Sequence, residues 1–88
     1  MKITIFAVNE AAKECGVAQE AILQFIEDEW VEPFDQYKLS LDQEDVERIK
    51  LIKELKGLGV NDEAVPIILH LIDQINALHW GLRQGLNH

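Results

Sequence analysis

Residues 16–33, GVAQEAILQFIEDEWVEP, decide how this chain folds. Glycine takes the left-handed conformation that closes a helix, so Gly16 ends whatever precedes it, and Val17 returns an apolar contact to the core. A second helix is predicted over Gln19 to Glu29. At about 100° per residue, Ala18, Ile22, Phe25 and Ile26 share its inward side, while Glu20, Leu23, Gln24 and Glu27 face outward. Trp30, Val31 and Pro33 terminate it, because proline disfavours helix at the residue before it. Upstream, Asn9 is the expected N-cap of a short first helix over about Glu10 to Cys15, with Val8 as a staple. Short helix, glycine turn and amphipathic second helix form the helix-turn-helix pattern. Its outward face carries acid where a DNA reader carries base.

Outward from that stretch, KITIF at residues 2–6 alternates polar and apolar side chains and reads as a short strand with Ile3 and Ile5 on one face. Residues Tyr37 to Leu41 are expected as an edge strand or wing paired with it. Asp42 is the predicted cap of a third helix over Gln43 to Lys56, with Asp45 returning a bond to the cap and Val46, Ile49, Ile52 and Leu55 as its core stripe. Gly57 and Gly59 stop it. Arg48, Lys50, Lys53 and Lys56 ring this helix rather than lining one face, which favours structural use over phosphate contact. Asn61 suits the cap of a last helix. Pro66, five residues on, requires either a kink or a short turn before that helix begins. Beyond it Ile68, Leu71, Ile75, Leu78 and Leu82 alternate by three and four like a coiled-coil seam, with Ile72 and His79 flanking. Two heptads are too short to stand as a free helix, so one stripe is expected to hold the domain together and another to form a two-fold dimer contact. Residues Gly85 to His88 are expected to fray.

Eighty-eight residues make one domain, residues 1–88, divided into a winged helix-turn-helix portion (1–60) and a C-terminal helical segment (61–88). The expected fold class is therefore mainly α, with a small β-strand pair. Sixteen acids against eight bases give a net charge of −8, which opposes attraction to phosphate backbones. Glu27, Asp28, Glu29, Glu32, Asp35, Asp42, Glu44, Asp45 and Glu47 lie in a stretch whose one base is Lys38. Glu44 and Asp45 fit ordinary helix-start acids. No apolar run has the length of a membrane span, and the amino terminus lacks secretory architecture, so a cytoplasmic protein is expected. Cys15 has no partner for a disulfide and is expected to pack as a small residue. His70 and His79 fall on opposite helix faces, His88 is terminal, and the acids lack the spacing of a calcium loop. The expectation is no enzyme, no cofactor and no metal.

The order of pieces in VNEAAKECGVAQEAILQFIEDEWVEP followed by LDQEDVERIKLIKELKGLGV resembles the winged helix-turn-helix of the MerR family. In that family the second helix and wing carry arginine and tyrosine that grip DNA, and the matching positions here hold Glu20, Leu23 and Gln24. The chain is more closely similar to a branch of that superfamily, the CbpM-like chaperone modulators. The Val31-Glu32-Pro33 run, the Val46 to Leu55 helix and IILHLIDQINAL at residues 67–78 carry the likeness. The resemblance implies an inhibitor that binds the J-domain of a DnaJ-like, CbpA-like co-chaperone, and the seam of the last helix adds the expectation of a homodimer. A partner-binding surface of Glu20, Leu23, Gln24, Glu27, Asp28, Glu29, Trp30 and Glu32 is then expected. Leu23, Trp30 and Phe34 are possible apolar anchors, with core packing the competing role for Trp30. The alternatives are a MerR-like DNA-binding transcriptional regulator using the same helix, and a dimerisation module with some other partner.

Overall fold

A computed structural model describes residues 3–85, with side-chain surroundings as far as Leu78. Its helices are α1 Val8–Cys15, α2 Gln19–Glu27, α3 Gln43–Gly57 and α4 Val65–Gly85. Leu82, His79 and His88 as side chains, and Lys2 at the start of the expected strand, lie outside the described residues. The architecture is mainly helical, as expected, with α1 packed on both α2 and α3.

Helices α1 to α3 begin and end for local reasons, and three of those reasons differ from expectation. The first helix starts at Val8, so Asn9 lies inside it and Ala7 holds the cap position with extended backbone. Alanine has no side-chain acceptor; instead Ala7 N–H donates to Glu10 Oε1 at 2.9 Å and Ala7 O accepts from Ala11 N. That closes the first turn earlier than an Asn9 cap permits. The second helix ends at Glu27, and Ala18 is its exposed, extended cap residue rather than part of the inward face. The third matches its sequence signature. Asp42 accepts from Asp45 N at 2.9 Å, and Asp45 accepts from Asp42 N at 3.0 Å. Such reciprocal capping is worth about 1 kcal/mol. Leu58, Gly59 and Val60 then close the end of α3.

The expected strand pair shrinks to one bridge, Phe6 with Leu41, bonded both ways at 2.7 and 2.8 Å. Two causes are visible. Ile3 and Ile5 stay exposed, so residues 3–5 bury no face that would hold a ladder in register. And Asp35 Oδ1 accepts from Tyr37 N and Lys38 N, turning the chain where a strand was expected and pairing Asp35 with Ser40.

Pro66 is resolved by a preceding turn rather than a kink. Asn61 Oδ1 accepts from Ala64 N, its backbone oxygen accepts from Ala64 N and Val65 N, and α4 begins at Val65. Proline then sits in the first helical turn, where an absent N–H forfeits no intrahelical bond.

The core gathers Ala11, Ala12 and Cys15 of α1, Ile22 and Phe25 of α2, Val46, Ile49 and Ile52 of α3, and Val65 and Leu69 of α4. Trp30, Val31 and Leu41 close it from the connections, while Leu55 is only half-buried. Truncating Ile22 or Ile49 to alanine removes a side chain with no exposed surface and is expected to cost about 2–5 kcal/mol, much of a small domain's stability. The four bases of α3 are engaged within the chain. Lys53 Nζ donates to the Cys15 carbonyl, Lys50 lies near Glu14 and Glu47, Lys56 pairs with Asp62, and Arg48 pairs with Asp73.

Candidate protein-docking surface

The geometry of the acidic stretch follows from how α2 stops. Trp30 N–H donates to Phe25 O at 2.9 Å and Glu29 N–H to Ile26 O at 3.0 Å, the bond pair of a Schellman close. Such a close needs a left-handed residue and an apolar contact across the end. The contact is Trp30 against Phe25, stacked with ring centroids 5.7 Å apart, and Lys56 Nζ sits 5.7 Å from the Trp30 ring centre. Trp30 is 8% exposed. Of its two expected roles, partner anchor and core packing, burial supports the second: Trp30 is the packing residue that terminates α2.

The left-handed residue is Glu29, at φ 64°. Helices α1 and α3 close in the same manner and use glycine there, Gly16 at φ 68° and Gly59 at φ 89°. A side chain at such a position costs about 1–2 kcal/mol. Glu27, Asp28 and Glu29 also crowd the negative end of the α2 dipole, whose last turn contains no base. Backbone preference and electrostatics are thus both violated at one place, which is where functional constraint is expected to show.

The outward face of α2 is arranged as its periodicity predicts. Glu20, Leu23, Gln24 and Glu27 are exposed, as are Asp28, Glu29 and Glu32 in the turn beyond. Gln24 Nε2 donates to Asp28 Oδ1 at 2.9 Å; among the described residues none of these carboxylates forms an ion pair. Phe34 is exposed, with its N–H donating to Asp45 Oδ2. Desolvation raises the Asp45 carboxyl above its ordinary value and the nearby Asp42 charge adds to this, against the N–H donors of Asp42 and Phe34. Asp45 and Glu44 belong to the start of α3, as expected.

Beside the turn opens a cleft of about 900 Å³ bounded by α3 and the first part of α4. Arg48 stands in it, donating through Nε to the Trp30 carbonyl and through Nη1 and Nη2 to Asp73 at 2.8 and 3.3 Å. This clasp joins the end of α2 to α4. Arg48 and Asp73 are separated by 25 positions in sequence, and nothing in the sequence signals the clasp. Glu29's strained backbone was equally silent; the one available hint was a helix ending without glycine.

Helix α4 divides its apolar residues between two sides. Val65 and Leu69 enter the core and Ile68 and Ile72 are half-buried, whereas Ile67, Leu71, Ile75 and Leu78 are 63%, 52%, 54% and 62% exposed. At about 100° per residue those four lie within about 80° of one another. Of the expected dimer residues, Leu71, Ile75 and Leu78 share this outward stripe, Ile68 sits at its inner edge, and Ile67 joins them. The described helices include none long and apolar enough to cross a membrane, and among the described residues no His, Cys, Asp or Glu side chains converge as a metal site requires. Cys15 donates to Val46 O at 3.6 Å, and burial pushes its thiol above the ordinary value. Comparison with protein-family models, curated proteins and solved structures finds no match to this chain.

Proposed function

We propose that this chain is a non-enzymatic modulator whose acidic surface, Glu20 to Glu32, binds the basic J-domain of a DnaJ-like co-chaperone and restrains it. One observation carries the reading: the chain keeps carboxylates that form no ion pair among the described residues at the end of α2 against both helix-end preferences, with no base in that helix's last turn. A long-range field of that sign steers a basic partner and repels nucleic acid. The likeness to the CbpM-like modulators supplies the partner class. The α1–Gly16–α2 arrangement followed by the 35–40 turn suits a winged helix-turn-helix whose recognition helix has been turned to protein. The outward stripe of α4 suits pairing with a second copy, since an apolar face of that kind is seldom left in water.

Mixing the chain with a labelled DnaJ-like co-chaperone tests the partner, and unchanged mobility at ~10–100 μM, where Kd values of weak complexes lie, counts against it. Reversing Glu27, Asp28 and Glu29 together to lysine, with folding checked by circular dichroism, tests the surface. Binding that survives in both rate and affinity removes the acidic turn from the site.

A further inference from the structure

Glu29 and Leu39, at φ 64° and 51°, are the two non-glycine residues with left-handed backbone among the described residues, and both line the same notch. The notch, about 520 Å³, lies between the closing turn of α2 and the 35–40 turn. Ile26 and Leu39 give the notch its accessible apolar surface over a floor of buried Val31 and Pro33, and the larger part of its accessible lining is polar. Glu27, Glu29 and Glu32 contribute three carboxylates; neither lysine nor arginine lines it. Its volume lies within the range of small-ligand sites, about 300–1,000 Å³, and so leaves room for an apolar side chain together with its neighbours.

We propose that this notch receives one apolar side chain from a segment of a partner protein in which that residue is flanked by lysine or arginine. The inference rests on the protein-docking reading above and specifies what the docked segment must contain. Charge alone gives encounter without residence, because exposed ion pairs add little affinity. Residence comes from a desolvated anchor, and Trp30 is committed to closing α2, while the exposed Phe34 and Tyr37 lie outside the lining of the notch. The notch itself is a hollow, which an anchor from the partner can fill. The apolar surface receives that side chain and the carboxylates meet its basic flanks. Two strained residues bordering one hollow are accounted for together: Leu39 supplies apolar surface and Glu29 charge at positions where glycine would be easier. The larger cleft beside it is the poorer receptor, because Arg48 already stands in it, held by Asp73 and the Trp30 carbonyl.

The test uses the full chain, isotope-labelled for amide chemical shifts, and two lysine-rich peptides identical except for a central leucine or serine. The leucine peptide is expected to shift the amides of Ile26, Glu29, Val31 and Leu39 and to bind about tenfold tighter than the serine peptide. Glu29→Gly and Leu39→Asn, both compatible with left-handed backbone, are each expected to weaken the leucine peptide by about fivefold. Equal binding of the two peptides, or shifts centred on α4, overturns the proposal. A purified DnaJ-like co-chaperone serves as the second probe. If it binds wild type and both variants equally, the notch is overturned and the partner reading stands. If it fails to bind while the peptide results hold, the partner reading falls and the notch stands.

Discussion

Replacing Glu29 by glycine should make the protein more stable, and the size of the gain follows from how α2 ends. Glu29 occupies the left-handed position of a closing turn that α1 and α3 fill with Gly16 and Gly59. Removing the β-carbon relieves about 1–2 kcal/mol, from which the greater unfolded-state freedom of glycine subtracts about 0.5–1 kcal/mol. Removing a carboxylate from the negative end of the helix dipole returns about 0.3 kcal/mol. The net expectation is a gain of about 1 kcal/mol, or about 4–8 °C in Tm for a domain of this size. Thermal and urea unfolding followed by far-UV circular dichroism provide the assay, with an unchanged urea slope showing that the folded and unfolded states expose the same surface as before. Glu29→Ala is the control, because it removes the charge and keeps the strained β-carbon; it should recover only the small electrostatic part. If Glu29→Gly is no more stable than Glu29→Ala, the backbone at residue 29 is not strained and the case for a retained carboxylate loses its foundation.

The converse change, Gly16→Ala, should destabilise by at least about 1–2 kcal/mol in urea unfolding, since a β-carbon there would lie 2.8 Å from Lys53 Nζ in addition to its left-handed penalty. Leu71→Asp or Ile75→Asp should leave the circular dichroism spectrum and Tm nearly unchanged, both side chains being half-exposed, yet abolish self-association in sedimentation velocity; a folded, unaltered dimer removes the stripe as an interface. Asp45 has a raised folded-state carboxyl, so it contributes stability that is fully present below the unfolded aspartate value near 3.8 and is lost as pH rises through the higher folded value. Carbon-detected titration should place its midpoint above 3.8, and a midpoint at or below it contradicts the burial argument.

Local chemistry was legible where one residue type had one use. Asp42 with Asp45 three residues on announced the start of α3, and glycine at 16 and 59 announced two helix ends. The α2 periodicity placed Ile22 and Phe25 inward and Glu20 and Glu27 outward, as burial shows. Where several residues competed for a role, the pattern misled. Asn9 is the better cap by type, yet Glu10 satisfies the Ala7 N–H and draws the helix start two residues earlier. The period-two pattern of residues 2–6 described a strand, but Asp35 could take the Tyr37 and Lys38 N–H groups, and a local turn replaced the partner strand. Trp30 stood between interface anchor and core packing, and its stack on Phe25 supports the second. For α4 the sequence period was right and its assignment to sides incomplete: Val65 and Leu69 take the body side, leaving Ile67 rather than Ile68 with the outward stripe.

The two proposed interfaces differ in electrostatics, and that difference gives them opposite responses to salt. The outward stripe of α4 contains no carboxylate. Asp73 is the one acid in Val65–Gly85, and it is held against Arg48 on the body side. Pairing through this stripe therefore brings together apolar side chains while joining two chains of charge −8 each, so the net repulsion, and not the contact, carries the charge dependence. Raising ionic strength from about 0.01 to 0.15 M shortens the screening length from about 30 to 8 Å and should strengthen self-association. Over the same range, capture of a basic partner at the α2 end should slow, because steering by Glu27, Asp28 and Glu29 is screened. Sedimentation of the chain alone and association kinetics with the labelled co-chaperone measure the two responses separately. If salt weakens both, acids participate in the dimer contact and the stripe is not its centre. If salt weakens neither, the carboxylates at the end of α2 do not steer the partner, and their departure from helix-end preference needs another cause.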